Sequence, residues 1–290
     1  KLHNTRPRTD GIALEFIPST EHVFKGARQV INSHGMRDRE YALERGPDTF
    51  RIGLVGASHD MGSGVNDNET YENLVEDRLN RELGPRTGKK FEILNFSLGG
   101  YSPTQKLAVV EQKMLQFQPD VVLYVANNQE FEWVFEPLEH LVNNRLLDQF
   151  PFIRNALDQT GIKAEAGKPL PQKIVRENKL APFAEDTLRA VLDRFRDQAT
   201  SRGIRPALVL LEIPDDDLSR AEIFDRLLKL GQSVRLPVLD LQGSFAGVKD
   251  RKSLWIAPWD SHTNAEGHRL LAERLYALLL KNGLVPAEGP

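Results

Sequence analysis

A serine early in the chain and an Asp–His pair late in it are the residues whose types and spacing could do chemistry. Ser58 stands where an apolar run of strand character, 50–55, breaks into glycine and small residues. In an open parallel sheet, ligands gather outside the carboxyl ends of the strands. A serine held there is anchored and uncrowded, as a nucleophile should be. Taken alone, the same residues also describe a plain strand-to-loop turn. The other end of the chain adds weight: Asp260 and His262 lie two residues apart, just before an amphipathic helical pattern. A serine nucleophile needs a base, and the base needs an acid that holds its tautomer. Ser58, Asp260 and His262 supply the three roles in that order.

Acyl transfer also needs donors aimed at the developing oxyanion. The second predicted strand, 91–96, runs on to Gly100, whose backbone N–H no side chain obstructs. The third, 119–126, is followed by Asn127 and Asn128, neutral carboxamide donors of which Asn128 is the first choice and Asn127 the second. Further strands are predicted over 205–213 and 236–241, and helices over 71–83, 104–116, 184–201, 219–230 and 265–281. Successive β–α units, with strands apolar nearly throughout, predict a parallel sheet covered by helices on both faces. Residues 1–49 read as an extension packed on this domain, with strands at 12–17 and 29–32 that could form one small hairpin. Residues 129–181 interrupt the β–α rhythm. They include a predicted helix around 138–150 and read equally as a lid or substrate wall and as helical packing with a solvated loop. No linker or internal repeat divides the 290 residues, so one α/β/α domain is expected over 1–290.

Composition narrows the function. A formal net charge of −3, with basic residues scattered among acidic ones, does not favour a nucleic-acid partner or an anionic membrane surface. The absence of cysteine removes thiol nucleophiles, disulfides and thiolate metal sites. No apolar run approaches the ~18 residues of a membrane span. The chain begins at Lys1 rather than methionine, as a processed form or the excised soluble part of an anchored or exported protein would.

Four segments, in order, resemble the blocks of the SGNH hydrolases, the GDSL-type esterase and lipase superfamily. They are Gly56-Ala57-Ser58 with Gly62, Asn95-Phe96-Ser97-Leu98-Gly99-Gly100-Tyr101-Ser102, the stretch 119–128, and Asp260-Ser261-His262-Thr263-Asn264-Ala265-Glu266-Gly267-His268. The match covers 50–128 and 255–281 well and the middle weakly. The resemblance implies a flavodoxin-like three-layer α/β/α sandwich with a mostly parallel five-stranded sheet. It also implies Ser58 as nucleophile and first oxyanion donor, Gly100 and one asparagine as further donors, and His262 as base supported by Asp260. Neither cofactor nor metal is implied.

Three departures from the family pattern matter. Ala57 replaces the acid that usually precedes the serine. The third block reads Val125-Ala126-Asn127-Asn128 where Gly-x-Asn-Asp is usual. Asp260 and His262 are two apart rather than three, a spacing at which both side chains leave one face of an extended segment. Other motifs fail. Asp60 stands where the last glycine of a Gly-x-Ser-x-Gly elbow belongs. The Gly62–Asp67 and Thr87–Lys90 stretches lack residues that dinucleotide and phosphate loops require. Asp260, His262 and His268 are also metal-ligand types, but His268 reads better as a helix-face residue packing near the site. His59 is a substrate contact or a packed residue, Trp255 and Trp259 read as packing around the last loop, and Asp215-Asp216-Asp217 as a solvated turn.

The expected activity is ester hydrolysis through an acyl-enzyme. A carbohydrate O-acetyl or other short-acyl ester is the expected substrate, because related bacterial proteins are often tied to carbohydrate acetylation. The same triad passing its acyl group to a sugar hydroxyl would be an O-acyltransferase. A chain that kept the fold without the chemistry would be a glycan-binding module, and one using 129–181 for association a scaffold.

Overall fold

A stretch such as Val121-Val122-Leu123-Tyr124-Val125-Ala126 has no polar side to turn to water, so a strand made of it must be covered on both faces. The computed structural model, which describes residues 4–168, 170, 179–214 and 220–288, shows that arrangement. Its strands in chain order are β1 (Thr5–Pro7), β2 (Leu14–Phe16), β3 (Thr20–Phe24), β4 (Ala27–Ile31), β5 (Thr49–Val55), β6 (Lys90–Asn95), β7 (Val121–Ala126), β8 (Arg205–Leu210), β9 (Val238–Asp240), β10 (Trp255–Ala257) and β11 (Asp260–Thr263). Strands β5 to β9 form one parallel sheet in the order β6-β5-β7-β8-β9. This is the expected flavodoxin-like sandwich.

Strand alternation divides the core into two layers. From β7, Val122, Tyr124 and Ala126 enter one layer, with the helices Pro103–Gln112, Ala184–Thr200 and Arg220–Ser233. Val121, Leu123 and Val125 enter the other, with Tyr71–Glu82 and Ala265–Lys281. The helix Pro103–Gln112 starts where Ser102 and Gln105 cap each other reciprocally and proline fills the first turn. Ala265–Lys281 starts at Asn264, whose side chain accepts the Gly267 N–H.

Two sequence-based expectations need correction. The single helix around 138–150 is instead a short helix, Leu138–Asn143, a 3-10 turn, Leu147–Gln149, and a separate helix, Pro151–Thr160. Arg145 in the left-handed region breaks the first, and Pro151 starts the last. Val134, Leu138, Leu141, Ile153 and Leu157 of this insertion are buried in the first core layer. The predicted strands at 12–17 and 29–32 do not pair with each other: β2 pairs with β1, and β4 pairs with β3. Strand β3 was hidden because its residues alternate half-buried with exposed, leaving no apolar run to read. The Asp215-Asp216-Asp217 turn lies outside the described residues.

The extension is tied into the domain by buried charge. Arg51 of β5 donates to the carbonyls of Ala42, Leu43 and Phe117 and to Glu92 of β6. Arg37 is buried against the loop after β5, as described below. Among the described residues, no helix is long and apolar enough to cross a membrane.

Candidate active site

Strand β5 has β6 on one side and β7 on the other, so the strand order reverses at β5 and opens a crevice at the carboxyl ends. Ser58 follows β5, Gly100 follows β6, and Asn127 and Asn128 follow β7, so the topology brings the predicted strand-end residues to one edge.

The residues after β5 coil into a tight turn. The N–H groups of Met61, Gly62 and Ser63 donate to the carbonyls of Ala57, His59 and Ser58 at 2.9, 3.0 and 3.1 Å. The buried Asp60 carboxylate closes this turn, accepting the Ala57 N–H at 2.7 Å and the Tyr71 hydroxyl at 2.8 Å. Burial pushes the Asp60 pKa up, against the nearby Lys106 charge and these hydrogen bonds. An acid is therefore present behind the serine although position 57 is alanine. It comes from two residues after Ser58 instead of one before. Gly56 makes room for it: a Cβ there would lie 2.0 Å from Asp60 Oδ2. The Gly56 N–H donates to Ser97 Oγ at 2.8 Å, and Asn95 Nδ2 donates to the Asp60 carbonyl at 2.8 Å, so the second sequence block braces the first. Arg37 completes the brace from the extension, donating to the carbonyls of Met61, Gly62 and Val65 and to Asp67.

Asp260 and His262 project from one face of β11, the partner of β10 in an antiparallel hairpin. His262 Nδ1 lies 2.5 Å from Asp260 Oδ1, which also accepts the His262 backbone N–H at 3.2 Å. The two-residue spacing therefore does allow the pair to meet. A third residue joins them. Lys25 Nζ lies 2.6 Å from Asp260 Oδ2 and 3.1 Å from His262 Nδ1. Of the two contacts at Nδ1, the one to the carboxylate is the shorter and favours a proton on Nδ1, which leaves Nε2 to act as the base; the Lys25 ammonium opposes that proton. Burial would raise the Asp260 pKa, but hydrogen bonds from Lys25 and His262 hold it at about 2. Burial, helped by the Lys25 charge, lowers the His262 pKa in spite of its carboxylate partner. The resting pair is thus an ionised Asp260 and a neutral His262.

The His262 ring stacks on His59, the neighbour of Ser58, with centroids 4.7 Å apart and planes at 22°. That contact brings β11 to the turn that holds Ser58. His59 Nδ1 takes a hydrogen bond at 3.0 Å from the Thr263 hydroxyl and a longer one from its N–H. Burial first, then the charges of His262, His268 and Lys25, push the His59 pKa well below the ordinary histidine value, so it packs as a neutral ring. Among the described residues no hydrogen bond joins Ser58 Oγ to His262. His268 is buried, stacked on Tyr71, and its Nδ1 accepts the Tyr71 N–H at the start of the helix Tyr71–Glu82.

Donors stand at the ends of β5, β6 and β7. Among the described residues, the Ser58 and Gly100 N–H groups have no hydrogen-bond partner. Gly100, at φ +88, is exposed, with open space where a Cβ would stand. The Asn127 carboxamide oxygen accepts the Gln129 N–H at 2.8 Å, which fixes the amide and leaves its NH2 uncommitted among the described residues. Asn127 and Asn128 are both buried at this turn. The turn rests on a buried group: Glu130 pairs with Lys106, accepts the Tyr124 hydroxyl at 2.9 Å and lies 3.4 Å from the Asn127 N–H.

Sequence reasoning missed Lys25, Arg37 and the role of Asp60. Nothing in a Phe-Lys-Gly-Ala stretch announces a partner for a carboxylate 235 residues later. The tryptophans divide. Trp255 packs, its indole N–H bonded to the Pro214 carbonyl. Trp259, expected to pack, stands 88 % exposed in the two-residue turn between β10 and β11, next to Asp260.

No family model matches the chain, and no curated protein matches it by sequence. Solved structures do match. Axe2, an acetylxylan esterase from Geobacillus stearothermophilus, aligns at 14 % identity with a TM-score of 0.51, over 79 % of this chain and 94 % of its own. A lipase/acylhydrolase from Enterococcus faecalis aligns at 15 % identity and 0.50, over 82 % and 98 %. TesA gives 15 % and 0.50, over 79 % and 97 %. The fold is that of the SGNH, or GDSL-type, hydrolases.

Proposed function

We propose that this chain is a serine ester hydrolase working through an acyl-enzyme, and that its substrates are short-acyl, above all O-acetyl, esters of carbohydrates. The observation that carries the reading is the Asp260–His262 pair, bonded at 2.5 Å and stacked through His59 onto the turn that holds Ser58. Ser58 Oγ attacks the ester carbonyl while His262 Nε2 takes its proton, and Asp260 stabilises the imidazolium that forms. The N–H groups of Ser58 and Gly100 and the Asn127 amide meet the oxyanion. Collapse expels the alcohol, which takes the proton from His262. Water, activated in turn by His262, then frees the acid and restores Ser58. The carbohydrate alcohol is supported by the exposed Trp259 face beside Asp260, on which the C–H face of a sugar ring can lie, and by the acetylxylan esterase among the proteins sharing the fold.

The test is hydrolysis of short-chain aryl esters and of acetylated xylo-oligosaccharides by wild type and Ser58→Ala, with fluorophosphonate labelling alongside. Loss of the nucleophile is expected to cost at least about 10³-fold in kcat and to abolish labelling. Equal rates in the two proteins would remove Ser58 from the mechanism. Failure of the wild type to label would favour a binding module.

A further inference from the structure

Lys25 is not demanded by the triad. It arrives from the tip of the β3–β4 hairpin, whose last pair is Phe24 with Ala27. The two intervening residues, Lys25 and Gly26, both have positive φ, 51° and 83°, as a tight two-residue hairpin turn requires. A non-glycine residue in that region carries strain, so the tip is shaped at some cost. The hairpin is docked on the nucleophile loop: the Arg28 N–H donates to Asn66 Oδ1 and the Val30 N–H to Asp67 Oδ2. Its ammonium spans from that loop to β11.

We infer that Lys25 is a positioning residue of the catalytic pair, holding the Asp260 carboxylate fixed and ionised toward His262 while keeping the imidazole neutral. The inference rests on the hydrolase reading. The geometry assigns one partner to each carboxylate oxygen. Oδ2 takes Lys25 at 2.6 Å, and Oδ1 is left for His262 at 2.5 Å. A carboxylate on a surface hairpin would otherwise rotate and solvate. With both oxygens occupied it is pinned, and its side chain is only 19 % exposed.

The same ammonium sits 3.1 Å from His262 Nδ1, so it opposes a second proton on the ring. The groups facing that ring are few. Asp260 is the anion, Lys25 the cation, and His59 the neutral face stacked upon it. His268 lies further inside, near Arg37. Of these, Lys25 is the cation closest to the titrating ring and the one a substitution can remove without touching the core. Its removal frees Oδ2 of the carboxylate, which stays against the ring through Oδ1 and the His262 backbone N–H, and takes away the positive charge beside Nδ1, so the imidazole protonates at higher pH. Both effects reduce the fraction of enzyme ready to accept a proton from Ser58.

The test is a histidine Cε1 NMR titration of the whole chain in wild type, Lys25→Met and Lys25→Arg, with the His262 signal assigned by its loss in His262→Gln. The His262 midpoint is expected to move to higher pH in Lys25→Met and to stay near wild type in Lys25→Arg. The acid limb of kcat/KM for an aryl ester should move the same way, and the plateau kcat should fall about tenfold, the worth of one charge-assisted hydrogen bond. An unchanged or lowered midpoint in Lys25→Met overturns the inference, whatever the rate does. If wild type hydrolyses no ester, the hydrolase reading fails, while the midpoint still decides what Lys25 does to the pair.

Discussion

Replacing His268 with asparagine should change the acid sensitivity of the fold in a calculable way. Its Nδ1 accepts the Tyr71 N–H at 3.2 Å, and its Nε2 is buried without a partner among the described residues. Burial, with a smaller contribution from the charges of Arg37 and His262, depresses its pKa from 6.5 to about 3. The unfolded chain protonates this ring near pH 6.5, the folded chain does not, and so each step toward acid favours unfolding. The slope is about 1.4 kcal/mol per pH unit. From pH 6.5 down to about 3 the loss is on the order of 5 kcal/mol, a large share of the ~5–15 kcal/mol that holds a domain together. Glu72 acts in the opposite sense. Burial raises its pKa from the usual 4.5 to about 7, so it favours the folded state at low pH and loses that contribution as pH rises through about 7. Glu72 is present in both proteins, so their difference isolates position 268. Asparagine can offer its carbonyl oxygen to the Tyr71 N–H but takes up no proton. Urea unfolding at steps from about pH 7 to about pH 4 should show the variant less stable at neutral pH, with the gap closing by about 1.4 kcal/mol per unit as pH falls. Parallel stability curves would mean that His268 is not held neutral, and the argument from its burial would be wrong.

Two other outcomes follow from the site. Gly56→Ala drives a methyl group into Asp60, 2.0 Å from its oxygen; overpacking of ~1–3 kcal/mol together with loss of the Ala57 hydrogen bond should lower the urea midpoint clearly and abolish ester hydrolysis, and a variant as stable as wild type would contradict the role given to Asp60. Asn127→Ala should reduce kcat about 10²–10³-fold with stability nearly unchanged, whereas Asn128→Ala should cost less than about tenfold; the reverse result would give the oxyanion role to Asn128.

The sheet was legible because its strands are short apolar runs separated by helical periodicities, and β7 in particular admits no other reading. The Asp260–His262 pair was legible because the two-residue period of a strand is a local rule. What escaped prediction is non-local. Arg37 and Lys25 act on segments far away in sequence, and single cations in a chain with scattered charge carry no periodic signal. Asp60 was visible as a residue that spoils a glycine motif, but its service as the buried acid behind the serine needs Tyr71 and the Ala57 amide around it. The break in the 138–150 helix turned on one left-handed residue, Arg145, whose identity does not betray its backbone angle.

Lys25 and His262 touch across 237 positions of sequence. During synthesis the serine turn, the lysine hairpin and the strands carrying the amide donors all leave the ribosome long before the imidazole does. An incomplete chain therefore lacks the Lys25–Asp260–His262 group. The group forms only in molecules that have been made through β11.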